Sequence, residues 1–391
     1  MSATTAMRFK SKLPDVGTTI FTVMSRRAIE EGALNIGQGF PDYPIDPDLA
    51  AALVESVADG HNQYAPMEGV VALRELIAHK IEKSYGVDAD PEAEITVTCG
   101  ATEGLYDAIQ SVVGPGDEAI IFDPAYDAYE PAVRLAGGRC VRIPLSPPAF
   151  AIDWDEVRGR LSDRTRLVII NSPQNPSCTV LDRDDLDALA ALIRDRPITV
   201  LADEVYENVI FDGRQPNSVL SYPELRDKSF AVFSFGKALH ATGWRTGYCV
   251  APPSLTRELR RVHQFNTFSI AAPLQHAIAR YLARRPDAWT GLAAFFQAKR
   301  DRLAGSLEGC GFEPLRAAGT YFLLVDYGAL SRSSDLDFAD RLIREAKVAT
   351  IPLSPFYAAP PSMTLIRLCI AKKDETLDLA AQRLRAFAAQ L

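Results

Sequence analysis

The stretch FAVFSFGKALHATGWRTGYCVAP, residues 230–252, sets one lysine between two apolar runs. FAVFSF (230–235) is continuous, aromatic and β-branched, with no polar face, and reads as a strand buried on both sides. TGYCVAP (246–252) reads as a further strand, antiparallel to its neighbours. Between them lie two glycines, Lys237 and Arg245. A solvated lysine usually sits among polar residues, whereas Lys237 stands between Gly236 and Ala238. The stretch is either an ordinary basic loop or a lysine held at a strand's end for chemistry.

The same rhythm runs upstream. EITVT (94–98), EAIIF (118–122), RLVIIN (166–171) and ITVLAD (198–203) are short runs rich in valine and isoleucine. Helical patterns lie between several of them, at 101–113, 126–136 and 183–195. Apolar strands alternating with helices predict an α/β fold with a mainly parallel sheet covered on both faces. Ligands of such sheets bind beyond the carboxyl ends of the strands.

Residues 1 to about 45 read as irregular, with a loop at LNIGQGFPDYPIDP. A helix runs from Asp48 and stops at Gly60, and an amphipathic one, VVALRELIAHKIEKSYG, ends at Gly86. From about 253 the pattern is helical, with one long stretch over 270–308. TYFLLVDY and LIRLCIA are strand-like, and a last helix covers 374–390. Strands grouped apart from the parallel run predict a smaller α+β domain.

Composition narrows the function classes. The 391 residues are 47% hydrophobic and 24% charged, which suits a soluble chain of two or three domains. A net charge of -8 argues against broad binding to nucleic acid or acidic membranes. The six cysteines show no ligand spacing, so no metal site is expected, and they read as reduced thiols of a cytoplasmic protein. The start has no apolar run like that of a secretory signal, and no run approaches a membrane span.

The strand ends carry the chemistry. CGATEG opens a helix after 94–98, with free N–H groups that suit a phosphate or are simply capped. NSPQNPS, holding Asn175, follows 166–171 and alone would be a turn. DEVYE, with Asp203 and Tyr206, follows 198–202; a carboxylate there needs a partner unless it caps a helix. Ser234-Phe-Gly-Lys237 resembles a serine–lysine acyl-enzyme motif, but its companion sequences are missing. One sheet edge thus collects a phosphate cradle, an amide, a carboxylate, a phenol, a lysine and an arginine. Pyridoxal phosphate asks for this set: an amine for its aldehyde, a carboxylate for its ring nitrogen, and donors and a cation for its phosphate.

Nearly the whole chain resembles the fold-type-I pyridoxal-phosphate aminotransferases of class I/II, within them the group of bacterial methionine and kynurenine–glutamine aminotransferases. SKLPDVGTTIFTVMS, GQGFPD, NQYAPMEGVVALRE, ITVTCGATE, FDPAYDAYEP, TRLVIINSPQNP, ADEVYE, SFGKALHATGWRTGYCVAP, GTYFLLVDY and IPLSPFY followed by LIRLCIAKK carry the likeness in order. It implies a large cofactor domain at 46–280 with a seven-stranded type of sheet, a small domain at 281–391, and an arm over 1–45 that joins it. It implies pyridoxal 5'-phosphate as cofactor, an amino acid and a 2-oxo acid as substrates, and a homodimer. Lys237 would form the Schiff base and move the Cα proton. Asp203 would pair with the ring nitrogen, and Asn175 and Tyr206 would bond the ring oxygen. Tyr126 would stack on the ring, unless it merely packs in the core. Ala101, Thr102, Ser234 and Arg245 would hold the phosphate. Tyr64 would reach in from the neighbouring subunit, unless it packs on its own domain. Arg367 would clamp the substrate carboxylate with Gly39 assisting, unless it snorkels from a strand edge. Ile20 and Phe21 would line an apolar substrate pocket, and no second arginine for an acidic side chain can be placed. Ala238 departs from the group, where a hydroxyl residue is common after the lysine. A cysteine-conjugate β-lyase on the same scaffold and a non-catalytic sensor are the alternatives.

Overall fold

The computed structural model describes residues 10–391, so the first nine residues of the arm lie outside the described residues. Seven strands make the main sheet: β1 (Ile95–Thr98), β2 (Glu118–Asp123), β3 (Arg139–Pro144), β4 (Thr165–Asn171), β5 (Thr199–Asp203), β6 (Ser229–Ser234) and β7 (Gly247–Val250). Their spatial order is β1-β7-β6-β5-β4-β2-β3. Only β7 runs antiparallel to its neighbours. Around the sheet and beside it run helices α1 (Ile20–Glu30), α2 (Pro47–Ala58), α3 (Val71–Tyr85), α4 (Gly100–Val112), α5 (Tyr129–Leu135), α6 (Arg183–Ile193), α7 (Pro253–Asn266), α8 (Ala272–Arg284), α9 (Leu292–Leu307) and α10 (Asp374–Ala388).

The apolar runs alternate between two cores, as the two-residue period of a strand requires. Leu201, Phe230 and Val232 share a core with Leu105 and Ala108 of α4, Val133 of α5 and Leu259 of α7. Val200, Ala202, Ala231 and Phe233 belong to the other core, with Ile77 of α3, Leu189 of α6 and Ile278 of α8. Both faces are therefore dry, which is why no polar face shows in these strands.

Downstream, β8 (Glu313–Pro314), β9 (Phe322–Asp326), β10 (Ile351–Pro352) and β11 (Leu365–Cys369) form a second, antiparallel sheet in the order β10-β11-β9-β8. Leu34–Asn35 pairs with Val348–Ala349, which ties the amino-terminal segment to this region.

Four expectations need correction. Residues 1–45 are not irregular throughout, because α1 forms within them. Thr19 caps it by accepting the Thr22 N–H, and Met24 and Ala28, four apart, are buried. The stretch 270–308 is two helices, separated around Pro286 and Gly291, the latter at φ 89°. The seventh strand, β3, is an edge strand. Its sequence RCVRIP is half-exposed and broken by two arginines that pair with Glu118 and Asp123 of β2, so it shows no apolar run. The helix expected over 126–136 begins only at Tyr129, which leaves Tyr126 in the loop after β2.

Candidate active site

The parallel strands and the antiparallel β7 bring their chemistry to one edge. Asn171 ends β4 opposite Asp203 of β5, and Ser234 ends β6 opposite Gly247, which also faces Thr98 of β1. A cavity opens there, lined by Ala101, Thr102, Tyr126, Asn175, Asp203, Tyr206, Ser234, Lys237 and Arg245, together with Leu105, Asn171 and Val205.

Asp203 is 4% exposed. Its Oδ2 accepts the Tyr129 hydroxyl at 2.6 Å, and Oδ1 has only a long contact from the Val205 N–H at 3.4 Å. Burial pushes the carboxyl up to about 6, against the Tyr129 bond and the charge of Lys237. A buried carboxylate with an under-used oxygen fits a protonated ring nitrogen. The second acid of DEVYE turns elsewhere: Glu204 accepts the Val219 N–H at 2.9 Å, and burial raises it to about 8.

Lys237 sits one turn past β6, and its Nζ donates to the Tyr321 hydroxyl at 2.8 Å. Burial brings its ammonium down to about 8, helped by the nearby charges of Arg245 and Arg367. Tyr206 is buried edge-on to Tyr321, ring centroids 4.9 Å apart. Tyr126 lies edge-on to Tyr129 at 5.6 Å. Asn175 is held by its N–H to Asn171 Oδ1 at 2.8 Å, while Asn171 Nδ2 donates to the Asp203 carbonyl at 2.8 Å.

The phosphate-sized end of the cavity is built from backbone. α4 begins at Gly100, φ 69°, with no side-chain cap on Cys99, so its first N–H groups remain open. Arg245 Nη2 donates to Thr102 Oγ1 at 3.2 Å. A Cβ on Gly100 would lie 2.8 Å from that nitrogen, and one on Gly247 2.7 Å from the Ala101 nitrogen. These open N–H groups beside a guanidinium fit a phosphate.

Arg367 does not snorkel. It is 0% exposed in the middle of β11, paired with Leu324 on one side and Ile351 on the other. Nη1 donates to Asn175 Oδ1 and Nη2 to the Gly37 carbonyl, 3.1 Å away. Nε has no partner, and the guanidinium lies over the Phe322 ring at 3.8 Å. An arginine so buried with a free donor fits a carboxylate ligand. Phe21, in the first turn of α1, comes within 5.1 Å of it, ring to guanidinium, and Ile20 is partly buried next to it in sequence. Gly39 lies against Phe322, where a Cβ would stand 2.7 Å from the ring.

Arg367, Gly39, Ile20 and Phe21 are not among the residues that line the cavity, and Tyr64 lies away from it altogether. Tyr64 is 86% exposed and lies edge-on to Phe268, itself exposed. The reading of the sequence missed Tyr129, Asn171, Tyr321 and Phe322. All four stand in stretches already quoted, Tyr129 in FDPAYDAYEP, Asn171 in NSPQNPS, and Tyr321 and Phe322 in TYFLLVDY, and strand position alone would have flagged Asn171. The contacts of Tyr129 and Tyr321 cross 74 and 84 residues, so no local pattern carries them.

The model of one family, described as aminotransferase class I and II, matches residues 31–384. The chain is 51% identical to methionine aminotransferase of Escherichia coli K12 over 96% of its length and 97% of that protein's. It is 31% identical to human kynurenine–oxoglutarate transaminase 1 over 93% of its length and 94% of the relative's. Its fold superposes on the crystal structure of E. coli YbdL, described as having a methionine aminotransferase function, with a TM-score of 0.95 at 50% identity, covering 97% of this chain and all of that one.

Proposed function

The chain belongs to the class I and II aminotransferases, and from that premise we propose that it moves the amino group of a methionine-like, aromatic or kynurenine-like L-amino acid to a 2-oxo acid. It is a pyridoxal-phosphate-dependent transaminase of fold type I. The reading assigns the cofactor to the cavity at the strand ends. The observation that carries it is the convergence of Lys237, Asp203, Asn175, Tyr206 and Arg245 on that one cavity, with Arg367 behind Asn175.

Bound there, the cofactor supplies an aldehyde that receives the amino nitrogen and a ring that takes up the electron pair left at Cα. The chain does the rest. Arg245, Ser234 and the N–H groups of Ala101 and Thr102 would hold the phosphate, and Asp203 would keep a proton on the ring nitrogen. Asn175 and Tyr206 would bond the ring oxygen, and Tyr126 would stack on the ring. Arg367, with the Gly39 N–H, clamps the α-carboxylate, which leaves the Cα proton facing Lys237. Nζ of Lys237 would take up the Cα proton and hold it at the reacting centre. The same residues would serve the return half-reaction, in which a 2-oxo acid takes up the amino group.

The substrate class is supported by the apolar surround of Arg367, where Phe21, Phe322 and Phe356 approach, and by the name of the E. coli relative. The assembly is read as a homodimer. The exposed Tyr64, Phe265 and Phe268 suit a subunit contact, from which Tyr64 would enter the partner's site. The chain is read as an arm at 1–45, a cofactor unit at 46–280 and a small unit at 281–391. No helix among the described residues is long and apolar enough to cross a membrane. The cytoplasm is the proposed location, supported by six free cysteines.

The test is a visible absorption spectrum of the purified protein before and after adding methionine without an oxo acid. A yellow band that methionine replaces by one at shorter wavelength, with release of the methionine oxo acid, is expected. A yellow band that methionine, phenylalanine and kynurenine all leave unchanged would overturn the substrate class.

A further inference from the structure

Tyr321 stands outside every role assigned so far, yet its hydroxyl is the nearest polar atom to the reactive lysine among the described hydrogen bonds. It lies 2.8 Å from Lys237 Nζ and 2.6 Å from the Gly39 carbonyl oxygen. A carbonyl oxygen only accepts, so the phenolic proton goes to Gly39 and the remaining lone pairs face the lysine. The phenol is therefore an acceptor toward Nζ. Its ring cannot swing, being 1% exposed and wedged among Tyr206, Phe322 and Phe296 at centroid distances of 4.9, 5.0 and 5.7 Å.

The next residue completes the device. Phe322 lies under the Arg367 guanidinium at 3.8 Å, and its ring is the first thing a Cβ on Gly39 would meet, with the Tyr321 ring next. Two consecutive residues, the first of β9 and the one before it, thus serve the two working side chains. Tyr321 holds the lysine and Phe322 holds the arginine, and both bear on Gly39. We propose that Tyr321 is a positioning residue that fastens the amine of Lys237 to the main chain at Gly39, so that the proton carrier and the carboxylate clamp are set as one unit. This rests on the reading of Lys237 as the reactive amine.

An acceptor at 2.8 Å favours the protonated lysine over the neutral one, so removing the oxygen lowers the proton affinity of Lys237 further. It also frees an amine on a flexible stem at the reacting centre, where a displacement of about 1 Å costs up to about 100-fold in rate. Binding of the substrate carboxylate, through Arg367, is left in place.

The test is full-length Tyr321→Phe, which keeps the ring and its packing; thermal melting near that of the wild type verifies this. Two readouts follow. In protein stripped of cofactor, the pH dependence of Lys237 acetylation, followed by peptide mass, shifts down by about one unit, the size of a lost hydrogen bond to a charged group. In the loaded enzyme the pH midpoint of the visible band moves the same way, kcat for methionine falls about 10- to 100-fold, and KM changes less than about threefold. An unmoved acetylation midpoint, an upward shift, or a loss confined to KM would overturn the proposal. Should the wild type transaminate no donor, the function proposed above fails, and the acetylation midpoint still judges Tyr321.

Discussion

Lys237 brings a positive charge into a part-buried site, and burial lowers its ammonium from 10.5 to about 8. Between those values the unfolded chain binds a proton that the folded chain lacks, so stability rises with pH across that window. Below pH 8 the folded protein bears the whole cost, on the order of 3 kcal/mol. Lys237→Met should therefore abolish turnover and yet, stripped of cofactor, melt above the stripped wild type at pH 7. The gap should close as pH rises toward 10.5, and melting curves at stepped pH read it directly. Residues of this kind were legible in the sequence because their chemistry conflicts with their surroundings: a lysine in SFGKAL, an acid after ITVLA, an arginine inside LIRLCI. Tyr129 and Tyr321 offered no such conflict, since a tyrosine is at home in a core and only tertiary contact gives its hydroxyl a task.

At the scale of elements, the phosphate end of the cavity depends on how closely three backbones approach. β7 starts at Gly247, between the end of β6 and the first turn of α4. A Cβ there would meet the Phe233 carbonyl oxygen at 2.6 Å and the Ala101 nitrogen at 2.7 Å, both main-chain atoms that no rotamer change can clear. Gly247→Ala should cost about 3 kcal/mol by overpacking. It should weaken cofactor binding more than that loss alone implies, because the Ala101 N–H must shift. Chemical denaturation and a cofactor titration of the same sample separate the two effects; normal affinity in a destabilised protein would contradict the cradle. Such elements were readable where burial is complete on both faces, as in β4, β5 and β6. They were not readable where one face is wet. β3 hides behind its arginines, and α1 sits in a stretch whose flanking glycines and prolines look like loop throughout.

Across the whole molecule, the site is assembled from segments far apart in the chain: Gly37 and Gly39 near one end, Arg367 near the other, and the strand ends between. That assembly needs the cradle to be anchored from behind, and His263 of α7 supplies an anchor. Its Nε2 meets the Met67 carbonyl oxygen at 3.0 Å, in the loop that also carries Tyr64. Its Nδ1 meets Glu103 at 3.0 Å, with Asp107 at 3.5 Å, and Glu103 in turn accepts the Cys99 N–H at the start of α4. Both ring nitrogens are engaged, so Glu103, Asp107 and His263 act as an ion-pair cluster. Burial works against the charged ring, but Asp107 and Glu103 outweigh it and raise the imidazolium from 6.5 to about 9. A raised base stabilises the fold fully below its unfolded value, and that contribution is lost as pH climbs through the folded one. The stability that wild type holds over His263→Gln should therefore be largest below pH 6.5 and shrink between 6.5 and about 9. At the acid end the difference should reach about 3 kcal/mol, since the variant leaves two buried carboxylates without their cation. Denaturation of both proteins at a series of pH values gives the difference directly. A gap that is flat from pH 6 to 10, or that widens with pH, would show that His263 is neutral in the fold and that the cradle is anchored by packing alone.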